Sequence, residues 1–200
     1  MGDENLNTKQ RILQTAVQLF NESGVGKVST NHIAAAAAMS PGNLYYHFKS
    51  KSEIIGAILL DMYEEWSEVW TLPEQVKLEQ RHLEQRLLMN FDLLWRYRFF
   101  YREALSLFQA DEALRLQHTA MMETRLAEQQ AFVQRFMEDG VLHMQADPQK
   151  IEKLLLSCWI IANNWLSFLE MNGQVVDEAG FKEGINLIWA ILTPYLENRQ

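Results

Sequence analysis

The 200-residue chain predicts an all-α protein, with an N-terminal three-helix head containing a helix-turn-helix and a larger C-terminal helical bundle. Three observations carry this expectation. Apolar residues recur three and four positions apart almost throughout, and no segment shows a convincing two-residue alternation. Only four prolines interrupt the pattern. Ser, Thr and Asp caps and glycine stops divide it into segments joined by short connections. With 48% apolar residues the chain can build one sizeable core or two small ones.

The elements follow in order. Thr8 is placed to cap a first helix whose apolar face is Ile12, Leu13, Ala16, Val17, Leu19 and Phe20, and Gly24 stops it. Ser29 caps a second helix from Thr30 to about Ala37. Ser40 caps a third, with Pro41 at the first helical position, where a missing N–H costs nothing. Ser50 and Glu53 form a capping box that opens a fourth, running to about Trp70. Pro73 breaks the chain before a helix from about Glu74 to Tyr97, and Phe99 to Phe108 continues as a separate short one. Asp111 starts a long helix that ends before Gly140. Asp147-Pro148 opens the next, which runs through Met171 to a stop at Gly173, and a last helix covers about Glu178 to Glu197. The division falls at 52/53: residues 1–52 as the head, residues 53–200 as the body.

Charge is uneven along the chain. The net charge is −8, yet residues 1–55 carry five Lys/Arg against four Asp/Glu. Between Glu22 and Glu53 stand three lysines, two histidines and no carboxylate. A basic window on an acidic body directs a polyanion to one end of the molecule. The lone Cys158 excludes an intrachain disulfide and fits a reducing compartment. No run of about 18 uninterrupted apolar residues occurs, so no membrane span is expected. The polar amino terminus lacks the apolar core of a signal peptide, and a cytoplasmic location is the expectation.

The window contains TNHIAAAAAMSPGNLYYHFKSK at residues 30–51. Alanines allow two helices to pack closely across a tight turn, and Ser40, Pro41, Gly42 and Asn43 begin the second with small groups that can approach base edges. Leu44 and Phe48, four apart, face inward. Tyr45, Tyr46 and His47 fill the outward arc as phosphate donors, and Lys51 opens a helix whose N-terminus also favours an anion. Lys27 and Lys49 read equally well as solubility charges.

By these residues the chain resembles the TetR/AcrR family of bacterial transcriptional regulators. The match runs over about residues 8–60, through Ile12, Ala16, Leu19, Phe20, Gly24, Ser29-Thr30, Ile33-Ala34, Ser40, Leu44-Tyr45, His47-Phe48 and Lys51. The resemblance implies that Thr30 and Asn31 touch backbone or bases, that Ser40, Pro41, Gly42 and Asn43 read bases, and that Tyr45, Tyr46, His47 and Lys51 clamp phosphates. Ala38 departs from the pattern, standing where the family has a turn glycine; a left-handed backbone there costs about 1 kcal/mol.

It further implies a body with a ligand cavity and a dimer interface on the last two helices. Phe91, Trp95, Phe108, Met122 and Trp165 are candidate pocket linings, although such residues also fill any helical core. Arg96, Arg98 and Arg102 lie near the aromatic cluster, as solvated charges or as partners for a ligand carboxylate. The broad apolar faces around Trp159, Ile185, Trp189 and Leu192 predict a homodimer, and hence a palindromic double-stranded operator. Nothing points to catalysis, a metal or a cofactor: the five histidines are far apart, with no pair at metal-ligand spacing, and no phosphate loop or nucleophile elbow occurs. The expected function is a sequence-specific DNA-binding regulator, a repressor released by a small apolar or amphipathic inducer. A DNA-anchored protein-interaction factor without an inducer is the alternative.

Overall fold

The computed structural model describes residues 2–72 and 75–196. The helices are α1 (Gly2–Ser23), α2 (Thr30–Ala36), α3 (Pro41–His47), α4 (Lys51–Trp70), α5 (Gln80–Arg96), α6 (Arg98–Ala110), α7 (Glu112–Glu138), α8 (Pro148–Met171), α9 (Glu178–Lys182) and α10 (Gly184–Leu196), with a 3-10 turn at Val25–Lys27. The chain forms two compact units. One comprises residues up to Glu64 together with Arg96–Arg115; the other comprises Glu65–Trp95 and the residues from Leu116 on. The first unit therefore reaches past residue 52 and takes in α6.

The first unit closes around Ile12, Ala16 and Phe20 of α1, Ile33 and Ala34 of α2, Leu44 of α3, Ile54, Ile58 and Leu59 of α4, and Phe99 of α6. Phe20 and Phe99 meet with ring centroids 5.3 Å apart. Asn21 fastens the junction of α5 and α6: its amide nitrogen donates to the Arg96 carbonyl at 2.8 Å and its oxygen accepts from the Phe99 N–H at 2.9 Å. One side chain thus serves the end of one helix and the start of the next. Thr8 lies inside α1 rather than at its cap, because neither proline nor glycine interrupts the chain between Gly2 and Gly24. The stop is as expected, with Gly24 at φ +81°.

In the second unit α8 packs along α10. By length and composition alone α8 is long and apolar enough to cross a bilayer, a test that the core helix of a bundle also passes; here it buries Ile151, Leu154, Leu155, Leu166 and Leu169. Two helix boundaries also differ from expectation. Residues 75–79 are not helical: Leu78 is buried and gives its N–H to Asp139 at 2.8 Å, and His82 Nδ1 accepts from the Glu79 N–H to start α5 later. Pro73 and Glu74 lie outside the described residues, as does Glu197. The last helix is two helices, α9 and α10. The Phe181 carbonyl accepts from the Trp165 indole at 3.0 Å, and a Cβ at Gly184 would stand 2.4 Å from the same ring. The chain breaks where the indole intrudes.

Candidate nucleic-acid interface and body cavity

The head motif is built from local hydrogen bonds. Ser29 Oγ accepts from the His32 N–H at 3.2 Å and His32 Nδ1 accepts from the Ser29 N–H at 3.3 Å, a reciprocal cap in which histidine replaces the usual glutamate. At the other end of α2, Met39 N–H bonds the Ala34 carbonyl at 3.0 Å and Ala38 N–H bonds Ala35 at 3.1 Å. That is a Schellman closure, and it places Ala38 at φ +53°. The alanine therefore adopts the left-handed conformation that the sequence comparison made suspect. Ser40 then caps α3, accepting from the Asn43 N–H at 3.2 Å, with Pro41 beginning the helix.

Burial divides α3 cleanly. Leu44 is fully buried and Phe48 nearly so, while Ser40, Pro41, Gly42, Asn43, Tyr45 and Tyr46 are exposed, Tyr46 at 71%. Asn31 is also exposed; Thr30 and His47 are half-buried. The hydroxyls of Thr30 and Tyr45 share a hydrogen bond of 2.9 Å, which ties the start of α2 to the middle of α3. His47 packs edge-on to the Tyr46 ring at 5.2 Å. A shallow depression beside them is lined by Gly26–Thr30, Tyr45 and Lys49–Lys51, with Lys27, Lys49 and Lys51 among its residues and no carboxylate.

Lys51 is placed differently from the phosphate clamp that resemblance implies. Its ammonium donates to the carbonyls of Val25 at 2.8 Å and Val28 at 3.0 Å, so it holds the 3-10 turn against α4. The N-terminus of α4 is also occupied: Ser50 accepts from the Glu53 N–H, and the Glu53 carboxylate accepts from the Lys49 N–H. Lys49, left open by sequence reasoning, lies with its ammonium on the Tyr45 carbonyl at 2.9 Å, at the exposed rim of α3.

The second unit encloses a cavity of about 70 Å³. Its walls include Trp66, Trp70, Phe91, Met122, Phe132 and Trp159. Of the candidate linings, Phe91 and Met122 are there. Trp95 and Trp165 are not: Trp95 packs on Phe181 at 5.5 Å, and Trp165 bonds the Phe181 carbonyl and stacks on Phe168 at 5.6 Å. Phe108 belongs to the first unit and meets Phe100 at 5.8 Å. Arg96, Arg98 and Arg102 fall in that unit as well, Arg102 donating to the Asn21 carbonyl at 3.3 Å.

The arginine at the cavity is Arg125, which sequence reasoning missed. A signal existed: Arg125 and Gln129 interrupt the apolar stripe of α7, standing at helical spacing between Met122 and Phe132. Among the expected interface residues, Ile185 and Leu192 are buried within the chain itself and Trp159 lines the cavity; Trp189 is half-buried. The exposed apolar residues of these helices are Leu156, Ile160, Phe168 and Met171 on α8 and Leu187 on α10.

Residues 12–58 match the family model of bacterial regulatory proteins of the tetR family, and residues 61–200 match that of the TetR bacterial transcriptional repressor. A crystal structure of a TetR-family transcriptional regulator from Marinobacter aquaeolei VT8 is 31% identical, covering 95% of this chain and 91% of that one with a TM-score of 0.85. The HTH-type transcriptional regulator QacR of Staphylococcus aureus is 32% identical over 100 residues, which are 50% of this chain and 53% of that protein. AcrR of Shigella flexneri is 38% identical over 71 residues, 36% of this chain and 28% of that protein. The chain thus spans about half or less of the length of these two curated relatives. The chain belongs to the TetR family of bacterial transcriptional regulators.

Proposed function

We propose that the protein is a sequence-specific repressor that binds a palindromic operator as a homodimer and is released by a small amphipathic molecule in the body cavity. The observation that carries this is α3: its exposed surface, Ser40 to Asn43 with Tyr45 and Tyr46, is anchored by buried Leu44 and Phe48 beside a depression lined by Lys27, Lys49 and Lys51. Small residues at the start of the helix let the backbone approach base edges, while Tyr46, His47 and Lys49 grip phosphates and set the register.

Release requires a ligand that favours a conformer whose reading helices do not fit successive major grooves. The cavity volume supports such linkage. Pockets for drug-sized ligands run to roughly 300–1,000 Å³, so a molecule of that size has to open the cavity to enter. A differential affinity worth about 1–3 kcal/mol changes operator binding 5- to 150-fold. The helix α4 supplies Lys51 to the head and Trp66 and Trp70 to the cavity.

Selection of random double-stranded DNA by the purified protein tests the reading, with a palindrome as the expected product. Asn43→Ala should then alter preference at one base position. Lys49→Ala should weaken all sequences alike and lower the slope of log K against log salt by about 1. Recovery of no preferred sequence would remove the proposal.

A further inference from the structure

We infer that the cavity of the second unit selects an anion: an ionised acid head on an aromatic or aliphatic body. The inference rests on the reading of that cavity as the ligand site. Among the described residues the buried polar or charged side chains are Asn90, Arg125 and Gln129, and all three line this one cavity. Arg125 is 3% exposed, and no Asp or Glu is among the lining residues. Its guanidinium carbon lies 3.0 Å from the centre of the Trp66 ring. The cation thus sits over an aromatic face, and a guanidinium is a fork of N–H donors that matches a carboxylate or similar acid group.

The neighbouring polar groups point to the same chemistry. Gln129 Oε1 accepts the Trp159 indole N–H, so the amide oxygen is engaged and the NH₂ end is the one that remains to donate. Trp70, another lining residue, has a buried indole N–H without an acceptor. Arg125, the Trp70 indole and the Gln129 amide thus supply N–H donors to a wall whose remaining polar side chains are Asn90, Asn163 and Cys158, the rest being apolar. An ionised acid offers acceptors only, and in a low-dielectric site its hydrogen bonds to a guanidinium are the stronger kind. A cationic or donor-rich ligand would meet Arg125 as a repulsive group.

A matched pair of dyes tests this. 8-Anilino-1-naphthalenesulfonate and N-phenyl-1-naphthylamine differ only in the sulfonate, and both brighten on entering an apolar site. The quantity read is the ratio of their dissociation constants in the full-length protein. Arg125→Gln should shift that ratio against the sulfonate by about tenfold or more, the worth of a charge-assisted bond, and Arg125→Lys should largely keep it. Gln129→Glu, an independent change, should weaken the sulfonate about tenfold and leave the neutral dye little affected. Ala162→Phe, which fills the cavity, should exclude both dyes while helical content persists.

If both dyes bind, Ala162→Phe excludes both, and the ratio does not move in either Arg125→Gln or Gln129→Glu, anion selection is wrong while the ligand cavity stands. If neither dye binds, or Ala162→Phe leaves binding intact, the cavity reading fails together with the inference. Should Arg125→Gln lose its helical signal, Gln129→Glu decides.

Discussion

Ala38 is the residue at which local geometry and side-chain chemistry disagree. Its φ of +53° closes the Schellman motif between α2 and α3, and a Cβ in that region is crowded by the following carbonyl. Ala38→Gly should raise stability by about 0.5–1 kcal/mol, the relief of strain exceeding the added chain entropy of glycine. A urea denaturation midpoint that falls instead would show that the turn bears no strain. His118 of α7 offers a second residue-scale test. Burial, and secondarily the charge of Arg125, push its pKa down to about 4 from 6.5. The unfolded chain therefore binds the proton first as pH falls, so stability declines between pH 6.5 and 4 and is restored above that window. His118→Gln should lose less stability than the parent between pH 7 and pH 5, measured by the same midpoints. Cys158, half-buried in the cavity wall, has its thiol pushed up to about 11 by desolvation, so it remains protonated and is a poor nucleophile at neutral pH.

Helix boundaries in this chain are set partly by caps and partly by neighbours. Ser29, Ser40, Asp111 and Asp147 each accept a backbone N–H at the start of a helix, as their sequence positions led us to expect. The break between α9 and α10 has a different origin. Glycine at 184 admits the Trp165 ring and Phe91, both within 3.0 Å of where a Cβ would stand. Gly184→Ala should cost about 1–3 kcal/mol by overpacking. It should also disturb the cavity through Phe91, read as a change in dye binding; unaltered stability and binding would mean that α10 can shift freely. In the head, Lys51 shows the same dependence on neighbours. Its ammonium holds two carbonyls of the preceding turn, so Lys51→Ala should destabilise the first unit by about 1–3 kcal/mol. A loss of DNA affinity in that variant alone would not identify a phosphate contact.

For the whole molecule, the apolar stripe Leu156, Ile160, Phe168 and Met171 on α8, with Leu187 on α10, is the surface to test for pairing of two chains. Ile160 is 65% exposed and Met171 81%. Burying a row of this kind in a four-helix contact would stabilise a dimer. Light scattering should give twice the chain mass for the parent, and Ile160→Glu combined with Phe168→Glu should halve it without loss of helical signal. A parent that is monomeric at micromolar concentration would exclude the dimer. Ile185 and Leu192, expected from the sequence to face a second chain, are instead buried within this one.

That contrast marks the limit of what the chain reveals before it is folded. The helical class, the head motif and the capped starts of α2 and α3 were legible in the sequence, because capping and backbone conformation act within three or four residues. The strained turn at Ala38 was legible for the same reason. Which face of α8 and α10 looks inward was not, since periodicity defines a face without naming what covers it. Nor did the sequence reveal that Lys51 serves two carbonyls, that Trp165 breaks the last helix, or that Arg125, Gln129 and Asn90 converge on one cavity. Those outcomes join residues tens of positions apart, and only tertiary packing decides them.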